Sequence, residues 1–335
     1  MVYLGMCSTL SLSSAAQDSA RGSLLEAQTE TQIAPNSPAA TPENSNSKPM
    51  SAFVPPNYSD VVKPLNDLLN KDYPVGSSKL ELNTTAPNGV KFTVTGTKDN
   101  KTAVISSEMK AKYANKKRGL TLTETWNTAN VLGAVVELKD TLVQGLTLNL
   151  NGHLHPSVGK KNAKAGFEYK QANVFTRSSV DLFKGPTLNA DAVVGTEAVV
   201  AGADVSYDVT DAKLTKFNSL LAHSTKDYTM AATASNMFGH FSFAYFHKVQ
   251  PGLEAGGKCQ WNKATDSSVS LEVGTKYVMD KDASLKAKIN NSGILGLGYS
   301  QMLRTGVKLQ LGGQFDTTRL GEAAHKVGFS LAFEG

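Results

Sequence analysis

From about Ser77 to the last residue the chain alternates apolar and polar positions in short runs, separated by turn residues. In the run 326–333, Val327, Phe329, Leu331 and Phe333 share one face, and Lys326, Gly328, Ser330 and Ala332 share the other, because side chains of an extended strand alternate with period 2. Residues 102–113 sort the same way, with Ala103, Ile105, Met109, Ala111 and Tyr113 opposite Thr102, Ser106, Glu108, Lys110 and Lys112. So do 146–154, where leucines 146, 148, 150 and 154 oppose Thr147, Asn149, Asn151 and His153, and 307–315, where Val307, Leu309, Leu311 and Phe315 oppose Lys308, Gln310 and Gln314. The pattern predicts strands near 77–84, 90–97, 102–113, 119–127, 131–138, 146–155, 160–171, 173–181, 186–196, 198–207, 214–224, 227–234, 240–248, 253–262, 267–277, 283–289, 293–301, 307–315 and 326–333. Turn residues such as Pro87-Asn88-Gly89, Lys98-Asp99-Asn100 and Asn291-Ser292-Gly293 divide them.

One sheet of so many strands must close or split, and closure removes its edges. Each run is near the ~9–11 residues that cross a bilayer at a tilt. A barrel with an apolar outside and a polar inside accounts for the alternation; so does a soluble sandwich with its apolar faces turned inward. The longest apolar run, Val131 to Val136, is far short of a spanning helix.

The first part of the chain differs. Residues 1–49 are rich in Ser, Ala, Thr, Asn, Gln and Pro, too polar to offset the cost of ordering, and are expected to be disordered, either as an untranslated or dispensable leader with Met50 as the true start or as a natural extension. They carry Arg21 against Asp18, Glu26, Glu30 and Glu43, the wrong balance for a mitochondrial presequence. Within the segment 50–76, Val61, Leu65, Leu68 and Leu69 fall at helical spacing. Ser59 and Asp60 are the expected caps, and Pro64 confines regular helix to the residues after it. This short amphipathic helix either packs on a soluble core or lies inside a pore.

Composition changes little. The formal net charge of +5 is too small to argue for a nucleic-acid partner, and Lys116-Lys117-Arg118 reads as a solvated turn. Cys7 and Cys259 give neither a metal spacing nor a disulfide framework. The polar faces matter more. They carry Lys79, Lys91, Lys110, Lys112, Lys276, Lys286, Lys288, Lys308 and Lys326 against Glu81, Glu108, Asp191 and Glu272. If that face lines a pore, its excess of cations favours anions. Glu124 breaks the pattern by sharing the apolar face of Leu120, Leu122 and Trp126. It is either a headgroup-level residue or a carboxylate that acts on the membrane.

Catalytic chemistry is missing from the pattern. His153 and His155 share a strand face but have no third metal ligand nearby. Gly296-Leu297-Gly298 lies in a strand rather than at a strand–turn–helix junction, and no serine sits in a nucleophile elbow. No enzyme activity, cofactor or metal is expected.

The run Tyr277-Val278-Met279-Asp280 through Ala283, Ala287, Lys288 and Asn291 to Gly296-Leu297-Gly298-Tyr299 closely resembles the signature of the eukaryotic mitochondrial porins, although Lys281 departs from it. Val54-Pro55-Pro56-Asn57-Tyr58-Ser59-Asp60, the stretch 119–130, the stretch 159–164 and His325-Lys326-Val327-Gly328 are similar to family segments too, in order, over about 51–335. The resemblance is to a voltage-dependent anion channel of fungal type. It implies a nineteen-strand barrel closed by a parallel pair of first and last strands, with the N-terminal helix in the lumen. It also implies a voltage-gated, weakly anion-selective pore for ATP, ADP and other small anionic metabolites in the mitochondrial outer membrane. Membrane lipids, further copies of the chain and cytosolic kinases such as hexokinase are the implied partners. Family lysines tied to nucleotide binding or selectivity map to Lys63, Lys71 and Lys326, which join Lys110, Lys112, Lys286, Lys288 and Lys308 as expected anion contacts. Glu124 matches a membrane-facing glutamate, and Lys326, Gly328, Leu331 and Phe333 match a C-terminal insertion signal. The family's glycine-rich hinge is here Asp72-Tyr73-Pro74-Val75-Gly76, and its Gly-Leu-Lys element reads Gly145-Leu146-Thr147. A protein-import barrel of the same superfamily, a soluble β-rich binding protein and a lipid-hydrolysing barrel are the rival readings.

Overall fold

The computed structural model describes residues 53–183, 185–263, 269–322 and 324–335. The expected disorder of 1–49 and the start at Met50 lie outside these residues. The described chain forms α1 (Lys63–Asn70) and nineteen strands. These are β1 (Ser77–Thr85), β2 (Lys91–Asp99), β3 (Ile105–Asn115), β4 (Leu120–Asn127), β5 (Leu132–Lys139), β6 (Leu146–His155), β7 (Lys160–Gln171), β8 (Val174–Asp181), β9 (Thr187–Gly195) and β10 (Val199–Asp208). The rest are β11 (Lys213–Ser224), β12 (Tyr228–Ser235), β13 (His240–Gln250), β14 (Leu253–Asn262), β15 (Ser270–Val278), β16 (Ala283–Asn290), β17 (Ile294–Arg304), β18 (Val307–Asp316) and β19 (Lys326–Glu334).

Each strand runs antiparallel to the next, and β1 also pairs in parallel with β19, from Ser78 opposite Phe329 to Asn83 opposite Glu334. The parallel pair arises from the odd number: in an up-and-down series of nineteen, first and last strands point the same way, so closure joins them in parallel. The sheet has no free edge.

Closure on itself, with no second layer, removes the sandwich reading. Leu82, Val94, Met109, Trp126, Leu150, Leu221, Phe243, Leu271 and Phe329 all point outward and stay exposed. So wide an apolar exterior is incompatible with water and suited to lipid. No described helix is long and apolar enough to cross a membrane; the strands do so instead.

Several boundaries differ from the alternation by two or three residues, β15 and β17 among them, and two differences have clear local reasons. The third strand begins at Ile105 rather than Thr102, because the Asp99 carboxylate accepts the N–H groups of Lys101 at 2.8 Å and Thr102 at 2.7 Å and bends them into a turn. The helix is shorter than its periodicity. Asp60 and Val61 donate to the Asn57 carbonyl in a turn, and Val62, not Ser59 or Asp60, holds the N-cap position without a side-chain cap. Pro64 sits in the first turn, where its missing N–H leaves nothing unsatisfied.

Candidate functional site

The lumen is built from the polar faces, and the N-terminal segment lines part of it. The segment is anchored at its start by the Asn173 N–H, in the β7–β8 turn, which donates to the Phe53 carbonyl at 2.8 Å. From there Phe53, Tyr58, Val61 and Val62 pack on a lumen-side apolar patch formed by Phe175, Val193, Val200, Leu220, Ala222 and Phe246. Burial, reinforced by Asp204, pushes the Tyr58 hydroxyl up to about 12. The apolar face of α1, Leu65, Leu68 and Leu69, then seats against β13, β14 and β15.

Glycines make that seat. A Cβ at Gly256 would lie 2.7 Å from the Leu65 Cδ1 atom, and one at Gly274 would lie 2.8 Å from the Leu69 Cδ2 atom. These two glycines are register partners on β14 and β15. Past the helix, a second row, Gly298, Gly312 and Gly328 on β17, β18 and β19, lies in register beneath the linker 72–77. A Cβ at Gly298 would stand 2.7 Å from the Asp72 carbonyl oxygen, and one at Gly312 2.6 Å from that of Pro74. At Gly328 it would collide with the backbone oxygens of Pro74 and Ser77. Absent side chains thus let backbone lie directly on the wall.

At the helix C-terminus sits Lys286, 5% exposed. Its Nζ donates to the carbonyls of Asp67 and Lys71, each at 3.0 Å, and meets the Asp72 carboxylate at 3.1 Å. An ammonium has three protons, and all three are engaged. The position also suits the negative end of the helix dipole. Asp72 takes a hydrogen bond from the Gln310 amide at 2.5 Å and lies 3.7 Å from Lys308. Burial alone would raise the Asp72 carboxyl, but Lys286, Lys308 and Gln310 more than offset it and hold it below its ordinary 3.8. Tyr73 lies beneath two ammoniums, with Lys288 5.1 Å and Lys286 6.0 Å from its ring centre. Burial, with Glu272 and Asp72 adding to it, pushes the Tyr73 hydroxyl upward.

The expected anion contacts separate into groups. Lys286 is placed as a helix clamp, with no free proton for a permeant. Lys288 pairs with Glu272 at 2.9 Å, Lys308 faces Asp72, and Lys63 pairs with Asp60 at 3.7 Å. Lys71 and Lys326 are exposed and join no ion pair among the described residues. On β3, Lys110 and Lys112 are exposed on the lumen face, and Lys112 stands directly opposite Lys91 of β2. Among the described residues, Lys91, Lys110, Lys112, Lys139 and Lys160 join none of the ion pairs, whereas Lys276, Lys286, Lys288 and Lys308 all do. Glu108 and Glu137 are the carboxylates sharing the lumen face of β3 and β5. Lys248 and Lys258, on the other wall, also join no ion pair among the described residues.

Glu124 faces outward, in register with Ala111 and Ala134. The small neighbours, with Gly152, leave a hollow of about 460 Å³ around it, flanked by Trp126, Leu132 and Leu154. Of the four insertion-signal residues, Lys326 and Gly328 face the lumen, and Leu331 and Phe333 face out. No group of His, Cys, Asp and Glu among the described residues could hold a metal ion.

A closed β-barrel with an apolar exterior, a charged lumen and a chain segment laid along one inner wall defines a transmembrane porin. The eukaryotic porin family profile matches residues 54–328. The mitochondrial outer membrane protein porin of Candida albicans is 45% identical over 84% of this chain and 99% of its own, and that of Neurospora crassa is 42% identical over 83% and 99%. The voltage-dependent anion-selective channel of Drosophila melanogaster is 38% identical over 84% of this chain and all of its own. The chain belongs to the eukaryotic porin family, and its place is the mitochondrial outer membrane.

Proposed function

We propose that the pore is weakly anion-selective, passes ATP, ADP and other small anionic metabolites, and closes partially at higher voltage. The observation that carries the reading is the distribution of uncompensated charge. The N-terminal segment covers the lumen from β8 round to β19, and the wall it leaves bare, β2 to β7, carries Lys91, Lys110, Lys112, Lys139 and Lys160 without ion-pair partners among the described residues. A permeant moving between segment and bare wall meets positive potential, which raises the local concentration of anions and lowers that of cations. The excess is modest, since Glu108 and Glu137 share that wall and water screens beyond roughly 8 Å at physiological salt; selectivity is weak for that reason.

The test is a single-channel recording of the purified protein in a planar bilayer under a potassium chloride gradient. A reversal potential on the chloride side, with closing steps as voltage rises, is the expected result. Cation preference without closure would favour a protein-import pore instead.

A further inference from the structure

The turn Lys116-Lys117-Arg118 plays no part in the lumen described so far. It joins β3 to β4, beside the loop that joins β5 to β6. The Lys139 N–H donates to the Gly119 carbonyl at 2.8 Å, and the Thr141 hydroxyl to that of Arg118 at 3.3 Å, so the two are fastened together. Between them lies a cleft of about 540 Å³, lined by Lys116, Lys117, Arg118 and Lys139 with Thr121 and Asp140. Thr121 and Lys139 belong to the lumen face of their strands, since they share it with Thr123 and Glu137. The cleft therefore opens at the pore mouth rather than towards lipid.

We propose that this cleft is an anion-docking site at one mouth of the pore, taking small anions that carry several phosphates, such as a polyphosphate or a nucleoside polyphosphate. The proposal rests on the anion-pore reading and adds a place where such permeants gather. Four cations converge on the cleft, and none of them joins an ion pair among the described residues. One carboxylate faces them, Asp140, which already accepts the Gly145 N–H at 2.7 Å; Glu137 lies one lumen-facing position further down β5. Several positive groups against one negative group suit a ligand of high charge density, and guanidinium and ammonium groups are the usual phosphate partners.

Charge balance separates this cleft from the other polar one, beneath α1. There Lys71, Lys226, Lys248, Lys276 and Lys286 are met by Asp67, Asp72, Asp227 and Glu254, and much of the charge is tied up in pairs. At the opposite mouth the cations are spread over separate turns and strand starts: Lys101 sits beside Asp99, Lys160 and Lys161 open β7, Lys213 opens β11, Lys326 opens β19, and Arg319 is tied to Asp316 at 2.8 Å and to Glu322 at 3.6 Å. The two mouths thus differ in how their cations are grouped, with four of them lining one cleft at the β3–β4 and β5–β6 turns.

The experiment is current block by inorganic tripolyphosphate. Single channels of the full chain in neutral phosphatidylcholine bilayers receive it first on one side, then on the other. Each channel is expected to be blocked at lower concentration from one side. The variant K116S/K117S/R118S is expected to need about tenfold more tripolyphosphate on that side, the sum of three exposed ion pairs, with the other side unchanged. Asp140→Asn, which keeps the acceptor for Gly145, is expected to be more sensitive than the native chain, and this arm covers misfolding of the triple variant. Equal block from both sides, or the same sensitivity in both variants as in the native chain, overturns the site. Reversal potential in potassium chloride, measured on the same native channels, reports separately on the anion-pore reading.

Discussion

Lys110 and Lys286 look alike in the amino-acid sequence: each is a lysine on the polar face of an alternating strand. Their surroundings divide them. Lys110 is exposed in the lumen, while Lys286 is held by two helix-end carbonyls and the Asp72 carboxylate. The difference is tertiary, since it depends on the C-terminal end of α1, seated on β13 to β15, coming within reach of Lys286, and no reading of β16 alone contains it. It has a measurable consequence. Lys286→Met removes the cation and leaves Asp72 and two carbonyls facing the wall without their donor, at a cost of about 1–3 kcal/mol to docking of the segment. Protease cleavage between Asp72 and Gly76 in detergent should accelerate in Lys286→Met, while Lys110→Met should cleave as the native chain does. The same cluster sets a pH dependence. Its carboxyl is held below the ordinary 3.8, so its contribution to docking is whole above that value and is lost as pH falls through the depressed one. Acid should therefore loosen the segment of the native chain below pH 3.8, and Asp72→Asn should already be loose at neutral pH and change little there.

At the scale of elements, alternation was enough for the strands, because period 2 is a property of each strand alone. Val307, Leu309, Leu311 and Phe315 read as one face in sequence and share the face of β18 on which Leu311 is exposed on the barrel exterior, although Val307, at the strand's start, is buried. The apolar spacing of Leu65, Leu68 and Leu69 likewise marked a buried helix face. What covers that face was not legible, for it depends on register. Gly256 and Gly274, or Gly298, Gly312 and Gly328, are scattered in sequence and become rows when neighbouring strands align. A signal for the lumen-side patch did exist: alternation fails at Val193-Val194, Val199-Val200 and Leu220-Leu221, where both faces are apolar, and the inward member of each pair is the one buried beneath the N-terminal segment. The linker row can be tested. Gly312→Val places a branched side chain where the Pro74 carbonyl oxygen lies 2.6 Å from a bare Cβ, so the linker must lift. The barrel itself should persist, since lumen-side volume is free once the linker moves. Expected are an unchanged far-ultraviolet β signal, faster cleavage of the linker and altered voltage closure; unchanged cleavage and closure would show that the linker does not depend on the glycine row.

Across the whole molecule, the N-terminal segment makes a circular wall two-sided. Its helix sits on β13 to β15, and in a closed ring of nineteen the strands farthest from β14 are β4 and β5. The lysines of β3 and β5 therefore face the helix across the pore, while most cations beneath the segment are neutralised by Asp72, Glu254 or Glu272. Selectivity should then track position rather than charge alone. Lys112→Glu relieves the like-charge pairing with Lys91 and reverses one uncompensated charge on the open side. Lys288→Glu makes the same change of charge, but it places a carboxylate beside Glu272 under Tyr73, away from the open path. The reversal potential in a salt gradient should move towards cation preference clearly more for Lys112→Glu than for Lys288→Glu. Equal shifts would mean that permeants sample the average charge of the lumen and not the bare wall. A larger shift for Lys288→Glu would mean that the path runs along the segment, with Tyr73 and the helix end as its lining.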